Sequence, residues 1–221
     1  MSTAASASQK MASRSPMAQL LHALNQPLTG LQCSMEVALA SPRTAGQYVQ
    51  GLREGLTLTG RMRALVEAMR EIADIGEEKD TKPETIELTN LLQEAVEELK
   101  PVAEVKGVRT FFLAGPETSC VVRARRAEMA SAMFRLVDSV VSLASRGTAL
   151  QIETYCQSSG MQLRMQWQSE GSGSALSRPE LGLLIARARL ERAGAEWERE
   201  AIEAMETLSL RLPGVSHQSV E

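Results

Sequence analysis

Aromatic side chains are scarce: two Trp, two Tyr and three Phe make up 3% of the 221 residues. Too few rings are left to build a stacking platform for single-stranded bases. Neither sign of charge dominates, with 24 basic against 27 acidic residues and a net charge of −3. A general nucleic-acid binder needs a strong basic excess, so that class is excluded. No apolar run approaches the ~20 residues that span a bilayer, and no membrane association is expected. The three cysteines, Cys33, Cys120 and Cys156, are odd in number and far apart. With no CxxC pair, neither a zinc site nor a redox dithiol is indicated, and a reducing, cytoplasmic location fits. There are only two histidines, His22 and His217, the second in the polar stretch SHQSVE. No Ser/His/Asp hydrolase set can be assembled from them. The opening MSTAASASQKMASRSP is small and polar with no apolar run behind its charges, which excludes a secretory signal. Residues 1–14 read as a disordered tail.

What remains is enough for a real core: 43% of residues are hydrophobic and 23% charged. The first half has helical periodicity. Met17, Leu21, Leu24, Leu28, Leu31, Met35 and Ala38 recur at alternating spacings of four and three, the seam of a coiled coil or bundle. Ser41-Pro42 stops this helix, because the residue before proline is pushed out of the helical region. A second periodic stretch over 44–75 carries Tyr48, Leu52, Met62, Leu65, Met69 and Ile72, weakened by Gly51, Gly55 and Gly60. The short connection predicts an antiparallel hairpin. Two helices cannot enclose a core alone, so a second copy completing a four-helix bundle is expected.

A charged run ending in Pro83 marks a linker over 77–83. The pattern then changes. Residues 84–88 read as a short strand, and Thr89 or Asn90 as the cap of a helix reaching Lys106. Residues 108–113 and 120–122 read as a strand pair split by Ala-Gly-Pro, and 124–145 as a long amphipathic helix. Alternation follows in Leu150, Ile152 and Thr154, then in Met161, Leu163, Met165 and Trp167. Residues 179–193 read as helix, and Leu208, Leu210 and Leu212 as a closing strand. Half-polar strands interleaved with helices imply an α+β layer, with helices on one face of a mixed or antiparallel sheet. The cluster Arg123, Arg125 and Arg126 sits at a strand–helix junction and reads as solvated capping.

The segment His22-Ala-Leu-Asn25-Gln26-Pro27-Leu-Thr resembles the phosphoacceptor box of sensor histidine kinases. In that family the box lies on a helix of a dimeric four-helix bundle, ahead of an α+β ATPase domain. The resemblance covers nearly all of the chain past residue 15. It implies an α+β chain: an N-terminal antiparallel helical hairpin, half of a dimeric bundle, over 15–76. A two-layer α/β sandwich like the histidine kinase ATPase fold follows over 84–213, and 214–221 form a tail. The chemistry matches the residue types. His22 follows Leu21 by about 100° round the helix, so it flanks the seam. Pro27 inside a helix costs ~3 kcal/mol, so something offsets that cost.

The chain departs from the family beside the histidine. The acid that orients or deprotonates the imidazole is replaced by Ala23. Gln26 stands four residues after His22, where an amide can hold a water. In the second half, Arg135-Leu-Val-Asp138-Ser139-Val140 aligns with the box that supplies two asparagines, and both are missing. Asp138 could reach magnesium only from the neighbouring face of the helix. Ser169-Glu170-Gly171-Ser172-Gly173 keeps the glycine spacing of the adenine box without its aspartate. Of the Gly-x-Gly-Leu phosphate cradle only Gly182 and Leu183 remain. About eight residues separate Gly173 from this point, too few for a mobile lid. A buried site loses ~1–3 kcal/mol for each missing hydrogen-bond partner, so these losses together point to a degenerate ATP site.

The resemblance therefore implies a two-component signalling protein. His22 is expected to pass phosphate to or from the receiver domain of a response regulator, with no cofactor. An active but divergent kinase using ATP and Mg²⁺ is the first alternative. A non-catalytic docking regulator of a receiver or kinase is the second. No sensory domain is expected ahead of the hairpin.

Overall fold

The computed structural model describes residues 15–75, 82–115, 121–157, 160–169 and 176–214. The tails expected at 1–14 and from 215 on lie outside these residues, as do Cys120, Gly171, Gly173 and His217. The chain divides into two compact units, one within Arg14–Glu77 and one within Glu78–Glu221.

The first unit is a helical hairpin. Helix α1 spans Pro16–Ala40, with Pro16 in its first turn and the Ser15 hydroxyl accepting from the Ala18 amide at 3.3 Å. Proline suits that position because its missing N–H has no helical partner there anyway. The helix ends at Ser41, whose extended backbone leads into Pro42. Helix α2 spans Ala45–Ala73 and starts with a reciprocal cap. The Thr44 hydroxyl accepts from the Gln47 amide at 3.3 Å, and the Gln47 side chain accepts from the Thr44 amide at 2.9 Å. The helices approach closely at small residues: a β-carbon on Gly55 would fall 3.3 Å from Leu31.

The packed stripe of α1 differs from the sequence expectation. Leu20, Leu24, Pro27, Leu31 and Ala38 are buried or half-buried, whereas Leu21, Leu28 and Met35 are 52%, 51% and 57% exposed. The expected seam mixed two neighbouring stripes. One meets α2 within the hairpin, and the other lies about 100° round the helix.

The second unit is a two-layer α/β sandwich. It runs β1 (Glu84–Glu87), α3 (Leu88–Lys106), β2 (Arg109–Ala114), β3 (Val121–Ala124), α4 (Arg126–Leu143), β4 (Ala149–Gln157), β5 (Gly160–Gln168), α5 (Arg178–Arg192), β6 (Glu196–Ile202) and β7 (Met205–Pro213). The main sheet has the order β2-β4-β5-β7-β6, with β2 parallel to β4 and the other neighbours antiparallel. The expected β2–β3 pair does not form: β3 pairs with β1 in a separate two-stranded sheet. Thr89 is not a cap but a buried residue inside α3, whose N-cap is Glu87. Strand β6 was not anticipated.

Alternate residues of the strands point at the helices. Leu150, Ile152, Leu163, Met165, Leu208 and Leu210 form one core with Leu92 and Leu99 of α3, Met133, Leu136 and Val137 of α4, and Leu183 and Leu190 of α5. The other face is mixed, with exposed Phe111, Leu113 and Tyr155 on β2 and β4. Glu153, Arg164, Ser209 and Glu198 lie in one row across it by register. Helix α3 stops at Gly107, whose φ of 78° only glycine adopts cheaply. The preceding Lys106 donates to the carbonyls of Val141 and Ser142, capping α4 from outside. Burial lowers its pKa from 10.5.

Candidate functional site

His22 lies on α1 among exposed neighbours Asn25, Gln26 and Thr29, with Pro27 buried on the opposite side. From buried Leu20 to His22 is about 200° round the helix, so the imidazole faces away from the α2-facing stripe. Ala23 is half-buried and supplies no polar group beside it. Pro27 stays within a continuous helix, and its buried ring joins the apolar stripe. Packing against α2 thus offsets the lost hydrogen bond.

Of the remaining candidates, the described ones, Asp138, Ser139 and Gly182, lie where α4 meets α5. Ser139 is 2% exposed and Asp138 is half-exposed on the next position round α4. Gly182, in the second turn of α5, lies so close to the Ser139 hydroxyl that a β-carbon there would overlap it. This glycine is required by close approach and not by its backbone angle. The Ser139 and Gly182 sites are therefore brought together, with Arg135 alongside.

Beside this contact is a buried ion cluster that the sequence reading missed. Arg199 of β6 donates two bonds to Glu180 of α5, at 2.9 and 3.1 Å. It also donates to Glu206 of β7 at 2.7 Å. The Ser169 hydroxyl, one residue past β5, donates to Glu206 at 2.5 Å. Glu180 and Glu206 are 6% and 5% exposed. The guanidinium also lies 5.8 Å from the ring centre of Trp167, a fully buried side chain whose indole N–H has no partner among the described residues. Burial pulls the Arg199 pKa down, but the bonds to Glu180 and the charge of Glu206 outweigh it, so the net shift is upward. The one signal in the sequence was the alternation of β6: Trp197 and Arg199 point inward between exposed Glu196, Glu198 and Glu200.

Among the described residues no group of three or more His, Cys, Asp or Glu could hold a metal ion, and no helix is long and apolar enough to cross a membrane. Cys33 is exposed and Cys156 half-buried, both as free thiols.

Hairpin, sandwich and their order define the class of structure: this chain has the fold of the cytoplasmic region of sensor histidine kinases. The likeness covers 88% of this chain and 98% of the histidine kinase AdeS of Acinetobacter baumannii, at 14% identity and a TM-score of 0.55. It covers 92% of this chain and 47% of full-length ShkA, solved with AMPPNP, at 13% identity and a TM-score of 0.54. The cytoplasmic segment of the histidine kinase QseC matches 68% of this chain at 14% identity and a TM-score of 0.52. Neither a protein-family model nor a curated protein sequence matches the chain.

Proposed function

We propose that this protein is a two-component phosphotransfer protein in which His22 exchanges a phosphoryl group with the receiver domain of a response regulator. The observation that carries the reading is the exposure of His22 on the outer side of a two-helix hairpin, five residues before a buried proline. An imidazole nitrogen there can attack the phosphorus of an aspartyl phosphate. An N–P bond forms, the O–P bond breaks, and the receiver's carboxylate leaves. Gln26, one turn below, and Asn25 are exposed amides within reach of a docked phosphoryl group or its water. On this reading 15–76 is the dimerisation and phosphoacceptor unit, 77–83 a linker, and 84–213 a degenerate ATPase-like domain.

On this reading the second unit does not serve ATP and magnesium. Ser139, aligned with the family's asparagine box, packs against Gly182 of the aligned phosphate cradle. Glu180 puts a carboxylate in the first turn of α5, where the resemblance places a phosphate cradle. The position aligned with the adenine-binding aspartate is Ser169, which brings no carboxylate there and whose hydroxyl donates to Glu206. The hypothesis of an ATP-dependent kinase is disfavoured on these grounds.

A second copy completes the hairpin on this reading. Leu28 and Met35 of α1 and Leu52 and Leu56 of α2 stay exposed on the half nearer the turn, the last two by 69% and 72%. Such a stripe is the seam of a four-helix dimer.

The test is phosphotransfer from a ³²P-labelled receiver of a candidate response regulator. Label should appear on the wild-type protein as an acid-labile, alkali-stable phosphoramidate and be absent from His22→Gln. With γ-labelled ATP and magnesium neither protein should be labelled. ATP-dependent label lost in His22→Gln would instead establish the kinase.

A further inference from the structure

We propose that the chain Ser169–Glu206–Arg199–Glu180 is a latch that holds the first turn of α5 against the β6–β7 hairpin, and that this turn opens locally when the latch is broken. The inference rests on the preceding reading only in treating the face between α4 and α5 as a remnant nucleotide site. It adds that the closure of this face is under the control of one ion cluster.

Three observations converge. First, the start of α5 lacks the usual anchor: its N-cap Ser177 makes no side-chain capping bond. The first turn of a helix has amides with no partner inside the helix, so it frays unless something else ties it down. Secondly, Glu180 lies in that turn, and its two oxygens are both taken by Arg199. Thirdly, Arg199 does not stop at α5. It continues to Glu206, which also accepts from Ser169, so the turn is tied to β6, β7 and the end of β5 at once. A buried carboxylate whose cation is removed is left uncompensated, so loss of Arg199 breaks the ties to α5 and to β7 at once.

The contact that depends on this turn is Gly182 on Ser139. Further along α5, the side chains of Leu183, Ala186 and Leu190 belong to the main core and stay with the sheet, whereas the Leu183 amide bonds back to residue 179 in the first turn and is released with it. Opening is thereby confined to the beginning of the helix. It uncovers Ser139 and Gly182 together, the two remnant positions that otherwise occlude each other.

Hydrogen exchange of backbone amides in the full chain separates this from a merely structural role. In Arg199→Met, and in Glu180→Ala, which leaves the Arg199–Glu206 pair in place, the amides of Leu181, Gly182 and Leu183 should exchange at least about tenfold faster than in wild type. The amides of Leu163, Met165 and Leu208 should stay within about twofold. Arg199→Lys should recover part of the protection. A parallel rise in all six amides would mean that Arg199 supports only overall stability and would overturn the latch, as would unchanged exchange at Leu181–Leu183 in Glu180→Ala. Titration of the wild-type protein with ATP and magnesium is a separate arm: binding there would sink the degenerate-site reading, while the exchange result would still decide the latch.

Discussion

At the residue scale, Gly182 and Ser139 make the sharpest statement about the sandwich. Glycine in a helix normally costs about 0.5–1 kcal/mol against alanine, so Gly→Ala should stabilise where space allows. Here the space is taken by the Ser139 hydroxyl. Gly182→Ala is therefore expected to lower stability by about 1–2 kcal/mol through overpacking. Removing the hydroxyl in Gly182→Ala/Ser139→Ala should return most of that loss, because the next atom, the Ser139 β-carbon, would sit at an ordinary 3.5 Å. A double-mutant cycle by urea unfolding measures the coupling, and additive effects would refute the steric account. Ala23 allows a second prediction. Ala23→Glu restores the acid beside His22, yet label from γ-labelled ATP should stay at background, since the obstacles in the second unit are untouched.

Elements show where local chemistry was enough and where it was not. The hairpin was legible because its signals are local: Ser41-Pro42 ends α1, and Thr44 with Gln47 starts α2. The box around His22 could be matched to the family because it is contiguous. Which leucine faces α2 was not, because Leu20 and Leu21 are both leucine, and only the partner helix chooses between adjacent stripes. The pairing of β2 with β4 is carried by residues such as Phe112 and Ile152, far apart in the chain, which periodicity cannot join. Strand β6 escaped because exposed glutamates and an inward arginine dilute its apolar face. The ion cluster escaped for the same reason: it unites positions from three elements and the end of a fourth. Two element-scale outcomes follow. Gly60 of α2 has open space around it, so Gly60→Ala should raise stability by about 0.5–1 kcal/mol, read as a higher Tm. Lys106→Ala should cost about 1 kcal/mol by uncapping the carbonyl end of α4. The lowered pKa of Lys106 adds a sign: the folded protein binds this proton less tightly than the unfolded chain. Its contribution to stability therefore rises as pH climbs through the folded pKa towards 10.5, and that rise should vanish in Lys106→Ala.

For the whole molecule, the exposed stripe on the hairpin predicts the oligomeric state. Sedimentation should give a dimer for the wild type and a monomer for Leu52→Glu/Leu56→Glu, which puts four charges into the seam of a dimer. A wild-type monomer would refute the bundle and leave Leu28 and Met35 without a role. The two units differ in what they ask of the chain. The hairpin leaves the His22 imidazole exposed, and the sandwich keeps a buried core with Ser139 and Gly182 pressed together. Under the proposed function, group transfer would belong to the first unit alone.

Strand β2 has a kinetic consequence. Strands β4 to β7 are successive antiparallel neighbours, apart from the insertion of α5 and the exchange of β6 to the edge. Strand β2 joins them only from the opposite edge, in parallel, after β3 and α4 have been laid down between Ala114 and Ala149. The entropy of closing that long loop must be met before any pairing of β2 rewards it. Refolding should therefore protect the amides paired within the β4–β5 and β6–β7 hairpins before those of 109–114. For the interval between, β4 is the open edge of the sheet; once β2 docks it takes that place, with Phe111 and Leu113 still exposed.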